Sequence, residues 1–415
     1  MALPDSRTIW FIHPYAGGPG VGRYDRPYHL ARHWQAMGWR CIVLTSSEHH
    51  LLDSPRSPGV ANIEGVTYEF IRTPAYQGNG LGRIVNMVTF TAKLVQQGSA
   101  LAARHGRPRM VIASSPHPYC YLAAERLARR FASCCVFEVR DLWPLSLIEL
   151  AGVSSSHPLV RITEWLERRA YRSADAVVSL LPCTREYMFA RGLSEPRWHY
   201  IPNGVETAQN DCLVDSEAAV LARKWRAAGR TVVVYAGALG RPNHVESLVR
   251  AMALQRLAGT DTAAIIIGRG EMKLQLLALI EQLGLEDRVT VFEQIPKRAV
   301  LALFRQVDIG FISLRPEPLF RFGVSPNKLF DYMLAGLPVL FAVQAGNDPV
   351  SDAACGYSVN SGQPGAISEA LTEFASMPTA ARREMGQRGR SWVEQHHSYA
   401  RLARDYLALA GTVTS

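Results

Sequence analysis

The sequence predicts an α/β protein built from two doubly wound parallel sheets. Three observations carry that prediction: a length of 415 residues, an alternation of short apolar runs with helix-spaced segments in both halves, and a break in that alternation near the middle. At roughly 100–200 residues per domain the length suits two domains. A chain that is 48% hydrophobic and 20% charged has the composition of a well-packed soluble protein, which excludes disordered, collagen-like and small disulfide-stapled classes.

In the first half Ile9–Ile12, Cys41–Thr45, Thr67–Ile71, Met110–Ala113, Cys135–Val139 and Ala176–Leu180 read as strands. Helical spacing appears in Tyr28–Ala36, Ile84–Ala103, Tyr121–Phe131 and Leu159–Arg172. The second half starts afresh with strands Thr231–Tyr235, Ala263–Ile267, Val289–Phe292, Ile309–Ser313 and Val339–Val343, and helices Val245–Ala258, Lys273–Leu283, Arg298–Val307 and Pro326–Ala335. Such alternation implies parallel strands joined by crossover helices. Tyr200-Ile201-Pro202-Asn203-Gly204-Val205 interrupts it with a proline and an Asn-Gly pair, and a polar stretch to Asp215 follows; this marks a boundary and a hinge. The expected domains are 1–205 and 206–395, with a C-terminal helix over 396–415 packing back on the first. Ligands of open α/β sheets bind beyond the carboxyl ends of the strands, so two such edges facing one another across a cleft are the expected site.

The formal charge of +9 is uneven. Residues 1–205 hold 23 Lys+Arg against 15 Asp+Glu, a net of +8, and residues 206–415 hold 22 against 21, a net of +1. A basic half suits nucleic acid, an anionic membrane surface or a phosphorylated substrate; ordinary solubility charge is the alternative. No recognition-helix or aromatic-platform signature supports nucleic acid. No run of about 18 apolar residues is present to span a bilayer. Strand signals from Thr8 leave no room for a secretory leader, and seven cysteines without a C-x-x-C pair read as reduced thiols in cytoplasm.

The richest segment is Arg321 through Val339. Ser325 reads as an N-cap, Pro326 as the first helical residue, and Gly336 with Pro338 as the stop. A helix N-terminus at this edge suits a phosphate, and Lys328 adds a cation there. Asp331, one turn on, is placed to accept ribose hydroxyls; a Lys328–Asp331 surface pair is the alternative. The loop Ala236-Gly237-Ala238-Leu239-Gly240-Arg241 offers close backbone approach at Gly237 and Gly240 and a guanidinium for phosphate at Arg241. Gly268 and Gly270 after the next strand suit a nucleoside pocket wall, or a tight turn. The first domain contributes a glycine-rich loop, with Gly18 and Gly22, expected to swing onto ligand. It also contributes His117 after one strand, and Arg140 with Asp141 after another, for which an Arg140–Asp141 network is the structural alternative. The pairs His49-His50 and His396-His397 read as surface histidines. The full dinucleotide and phosphate-loop glycine patterns, metal-ligand spacings and a nucleophile elbow are all missing.

These residues resemble the retaining, nucleotide-sugar-dependent glycosyltransferases of family 4, which have the GT-B fold of two Rossmann-like domains. The resemblance runs from Gly17 to about Gly336, strongest in Glu138–Pro144, Tyr171–Asp175, Ile201–Val205 and Phe322–Val339. The wording is similar to the bacterial O-antigen and capsule branch with fucosamine-transferase-like members. The resemblance implies that Arg241 and Lys328 clamp the donor diphosphate, that Ser325, Pro326 and Asn327 line the phosphate turn, and that Asp331 holds the ribose. Gly323 stands where many members have a first glutamate, so backbone amides around Val324–Asn327 take its place. His117 is the nearest match to a first-domain histidine that touches the donor sugar. The reaction implied needs no metal or other cofactor and uses a nucleotide-sugar, with uridine the family's usual base. It delivers to a glycan or an undecaprenyl-diphosphate-linked acceptor at the inner face of the cytoplasmic membrane. Arg83–Arg109 reads as an interfacial helix or as a core helix with a basic face. A sugar-nucleotide epimerase and a non-catalytic sugar-nucleotide-binding protein are the competing classes.

Overall fold

The computed structural model describes residues 6–78, 80–115, 117–207 and 214–412; residues 208–213 of the polar stretch after the boundary lie outside it. The chain forms two compact units, one of residues up to Gly204 together with those from Tyr399 onward, the other Val205–Ser398.

The first unit holds β1 (Thr8–Ile12), β2 (Arg40–Ser46), β3 (Gly59–Ile63), β4 (Val66–Ile71), β5 (Met110–Ser115), β6 (Cys134–Val139), β7 (Ala176–Ser179) and β8 (Trp198–Tyr200). Their order across the sheet is β3-β4-β2-β1-β5-β6-β7-β8, and all are parallel except β3, which is antiparallel to β4. β3 escapes the sequence pattern because it is a half-exposed edge without an apolar run. A two-residue turn, Glu64-Gly65, joins it to β4, both residues at positive φ (44° and 91°), the backbone that matches hairpin twist. The central strands are buried on both faces, as crossover helices require.

The second unit holds β9 (Thr231–Ala236), β10 (Thr262–Ile267), β11 (Val289–Phe292), β12 (Ile309–Ser313), β13 (Val339–Ala342) and β14 (Gly356–Val359). They form one parallel sheet ordered β11-β10-β9-β12-β13-β14. Chain order reverses between β1 and β5 in the first sheet and between β9 and β12 in the second. Such switch points splay consecutive loops apart and open a crevice at the carboxyl edge.

A buried polar node organises the first unit. Arg26, on helix Arg26–Ala36, and Glu138, on β6, are 2% and 0% exposed, with Arg26 Nε donating to Glu138 Oε2 at 3.1 Å. Burial alone would raise the Glu138 carboxyl, but Arg26, Ser114 and Tyr406 together hold it below the usual carboxylate range. Arg26 also donates to the carbonyls of Pro202 (2.6 Å) and Ile201 (3.2 Å), and the Tyr406 hydroxyl donates to Glu138. Helix Tyr399–Thr412 packs on helix Arg26–Ala36, with Tyr399 stacked on His29 (4.7 Å) and Trp34 Nε1 donating to Ala403 O (2.9 Å). Ile201-Pro202, read as part of a hinge, is thus anchored to the first unit. Gly204 sits where a Cβ would meet the Tyr399 ring at 2.8 Å. Val205 opens the second unit by pairing in parallel with Ser398, its N–H donating to His397 O at 2.8 Å.

Removing one partner of a buried ion pair strands the other charge. Glu138→Ala is expected to destabilise the first unit by about 3–5 kcal/mol, measured as a lowered denaturant midpoint; an unchanged midpoint would contradict the role given to the node.

Candidate active site

The second unit's switch point gathers three loops. β9 runs into Gly237–Gly240 and the single turn Arg241–Asn243, and β10 into Gly268–Glu271. The two glycine loops interlock: Leu239 N–H donates to Arg269 O and Met272 N–H to Leu239 O, both at 2.9 Å. A Cβ on Gly268 would lie 1.8 Å from Gly237 O, and one on Gly270 2.3 Å from Leu239 O. Loop-on-loop packing accounts for these two glycines without a ligand. Glu271 Oε1 accepts the Arg241 N–H at 3.1 Å, which holds the Glu271 carboxyl below its ordinary range and fixes the turn that leaves Arg241 exposed.

Lys328 is held at the centre of this cluster. Its Nζ donates to Tyr235 Oη (2.8 Å) and Asn243 Oδ1 (2.7 Å) and lies 4.5 Å from the Tyr235 ring centroid. A Cβ on Gly237 would approach Nζ to 3.0 Å, so the glycine makes room for the ammonium beside the backbone. Burial pushes the Lys328 amine down to about 7. It does not pair with Asp331, whose Oδ1 lies 3.5 Å from Lys297 Nζ.

The helix carrying Lys328 corrects the expected cap. It spans Asn327–Leu334 with Pro326 at the N-cap position and no side-chain cap, so Ser325 lies one residue before the cap and Pro326 is not the first helical residue. The first-turn N–H groups of Asn327 and Lys328 have no intrahelical acceptor. Val324, expected to offer its amide, does not: its N–H donates to Asn347 Oδ1 (2.7 Å), and Asn347 Nδ2 returns to Val324 O (3.1 Å). The Asn347 amide mimics a strand partner and clamps the loop. Gly323 precedes it at φ +97°, a conformation that a glutamate adopts only under strain.

In the first unit Gly18 and Gly22 form a closed turn, each N–H donating to the other's carbonyl at 3.2 Å. A Cβ on Gly22 would reach Leu51 O at 2.5 Å, and Tyr68 Oη donates to Gly17 O at 2.6 Å. The loop expected to swing is therefore pinned on several sides.

Beside it lies a cluster of rings. Tyr15 meets His49, His50 and His117 at centroid distances of 5.6, 4.9 and 5.7 Å, and His117 meets Tyr119 and Trp143 at 5.3 and 5.9 Å. Arg83 Nε donates to Tyr15 Oη (3.2 Å) with its guanidinium over the ring. His117 is fully buried, and among the described residues neither ring nitrogen has a partner. Burial, with Arg83 nearby, pushes its imidazole down to about 3, and burial with His50 does the same to His49; both are neutral at physiological pH. Arg140 lies over the Tyr24 ring at 3.9 Å, with Nη1 3.4 Å from His13 Nε2, and Asp141 follows it at the carboxyl end of β6, where the Arg140 charge favours the ionised form of its carboxyl. His49 is 8% exposed and His397, stacked 4.0 Å from Phe330, is 2% exposed, which corrects their reading as surface histidines. The edge rule that singles out His117 applies equally to His49 and His50, which follow β2, and to Tyr15, which follows β1; Trp143 lies within the Glu138–Pro144 stretch and Arg83 opens the Arg83–Arg109 segment, and neither pattern assigns them to this cluster.

Comparison with known proteins assigns both units. Residues 20–204 match the family model "Glycosyl transferase 4-like domain" and residues 221–392 match "Glycosyl transferases group 1". The chain belongs with the glycosyltransferases of GT-B fold. Sucrose-phosphate synthase from Thermosynechococcus elongatus superimposes with a TM-score of 0.72 at 19% identity, over 98% of this chain and 99% of that one. Anabaena HepE, solved in complex with UDP and glucose, gives 0.67 at 16% identity over the same shares. The alpha-D-kanosaminyltransferase of Streptomyces kanamyceticus is 30% identical over 131 residues, spanning 31% of this chain and 34% of that protein.

If an anion enters beside Lys328, it must restore the proton that burial removes. Binding of a diphosphate anion there is expected to take up about one proton above pH 7 and to weaken by up to about tenfold per pH unit, measured by calorimetry in buffers of different ionisation enthalpy. A flat profile would mean that Lys328 does not meet the ligand.

Proposed function

We propose that the chain is a retaining, metal-independent glycosyltransferase. It moves a hexosyl or N-acetylhexosaminyl unit from a nucleotide-sugar, a UDP-sugar, to a glycan or undecaprenyl-diphosphate-linked acceptor in bacterial surface-polysaccharide synthesis. The observation that carries this reading is Lys328, an ammonium kept largely from water against Gly237, bonded to Asn243 of the turn that carries Arg241 and set at the start of helix Asn327–Leu334. Desolvated donors aimed where charge develops are the usual source of transition-state stabilisation. In the reaction the bond from the anomeric carbon to the diphosphate oxygen breaks. The acceptor oxygen attacks on the same face, and its proton passes to the leaving diphosphate. Lys328, Arg241 and the amides of Asn327 and Lys328 take up the negative charge on that diphosphate, and Asp331 holds the ribose.

The first unit receives sugar. His117 is a neutral imidazole whose two ring nitrogens lack partners among the described residues, inside a wall of Tyr15, Tyr119 and Trp143; a sugar hydroxyl would satisfy it, and the rings suit the apolar faces of a saccharide. Helix Leu81–His105 is mainly a core helix, with Met87, Phe90, Leu94 and Leu101 buried. Its first turns nonetheless expose Leu81, Val85 and Val88 at 80%, 54% and 52%, one face by spacing, within the half that carries +8. That face supports docking on anionic lipid where a lipid-linked acceptor resides. Among the described residues no helix is long and apolar enough to cross a membrane.

Arg241→Ala and Lys328→Ala are each expected to cut transfer by about 10²-fold or more, measured as acceptor-dependent UDP release with mass spectrometry of the product. Near-normal transfer by both, or sugar interconversion without acceptor, would replace this reading. In vesicle flotation the protein is expected to be recovered better with anionic than with neutral lipid, and Leu81→Glu/Val88→Glu is expected to abolish the difference; equal recovery would remove the membrane from the proposal.

A further inference from the structure

On the opposite edge of the second sheet lies a cavity of about 300 Å³. Val307 and Asp308 in its wall immediately precede β12, and Leu337 and Pro338 immediately precede β13, so it opens at the amino ends of the strands whose carboxyl ends serve Lys328. Phe304, Val307 and Leu337 supply apolar lining, and four arginines converge from three elements: Arg226 from helix Glu217–Ala227, Arg305 after helix Lys297–Phe304, and Arg382 and Arg383 from the first turns of helix Thr379–His397.

Among the described residues the single carboxylate in the lining is Asp308. It is already divided between Arg226 Nε (3.3 Å) and the Val232 N–H (2.9 Å). Arg382 is oriented by carbonyls rather than by an acid, Nη1 donating to Phe374 O (2.6 Å) and Met377 O (3.0 Å). Among the described residues Arg383 has no ion-pair partner. Solubility charge does not account for this placement, because repelling guanidiniums spread over a convex surface at lower energy than they converge on a concavity with an apolar floor. Capping the C-terminal carbonyls of helix Asn327–Leu334, which ends at this wall, would need one cation rather than four.

We propose that this cavity is a second anion site, which takes the phosphoryl group of a small phosphorylated molecule or of a lipid headgroup. Planar guanidiniums from several directions match the oxygens of a phosphate, and the volume lies at the lower end of small-molecule sites. The site is separate from the donor loops and takes no part in the transfer step.

The test isolates it by using Lys328→Ala, whose donor site is impaired, with inorganic pyrophosphate as the probe in calorimetry. That variant is expected to bind pyrophosphate still, and adding Arg305→Glu/Arg383→Glu is expected to weaken binding about tenfold or more. Arg305→Glu/Arg383→Glu in the otherwise intact chain should keep its UDP affinity and melting temperature, which shows that the second unit remains folded. Flotation with phosphatidylglycerol against phosphatidylcholine vesicles assigns the source: capture that depends on Arg305 and Arg383 indicates a headgroup, and pyrophosphate binding without such capture a soluble phosphate. Pyrophosphate binding and vesicle capture that are both absent, or both indifferent to Arg305 and Arg383, would overturn the proposal.

Discussion

The first unit depends on one buried charge pair. Glu138 on β6 and Arg26 on the first helix are both out of water, and neither would be tolerated there alone. Their remaining hydrogen-bonding capacity is spent on Ser114 beside β6, on the carbonyls of Ile201 and Pro202 where the chain leaves the unit, and on Tyr406 where it has returned. One node thus joins residues up to 380 positions apart. A hydrophobic contact of equal volume would hold these elements together without specifying which carbonyl or hydroxyl meets which donor.

That fixed frame supports a buried cluster of tyrosine, histidine and tryptophan rings at the first unit's switch point. The loop after β1 is tied by Gly17 to Tyr24 and Tyr68 and by Arg23 to Leu51, with Gly18 and Gly22 bonded to one another, so Tyr15 is held on a fixed loop. Burial there carries a cost, visible in His117, an imidazole with both nitrogens unpaired among the described residues. The second unit shows the same trade in Lys328, whose ammonium is desolvated against Gly237. Both groups are kept from water by the packing around them.

The element pattern was largely legible in the chain because parallel strands buried on both faces must be apolar runs, and crossover helices must be amphipathic. β3, β8 and β14 were not, because short or half-exposed edge strands need no apolar run. Arg241 and Lys328 were singled out by their positions after strands, and the structure brings both to one switch point. The readings that changed depend on tertiary packing: Val324 gives its amide to Asn347, 23 residues on, the helix of Lys328 starts at Asn327 instead of Pro326, and His49 and His397 are buried.

By itself, then, the sequence determined two α/β units, the strand ends at which chemistry gathers, and the cations available there, since these follow from periodicity and from local turn chemistry. Only the tertiary structure decided which histidines are buried, that Arg26 and Glu138 are partners, that Lys328 turns to Tyr235 and Asn243 instead of Asp331, and that four arginines from three elements share one cavity. Each of those depends on residues far apart in the chain being brought within hydrogen-bonding distance, and spacing along the sequence carries no record of such pairings. The net of +1 in the second half illustrates the point, because a near-neutral sum conceals a strongly basic cavity and a desolvated lysine on opposite edges of the same sheet.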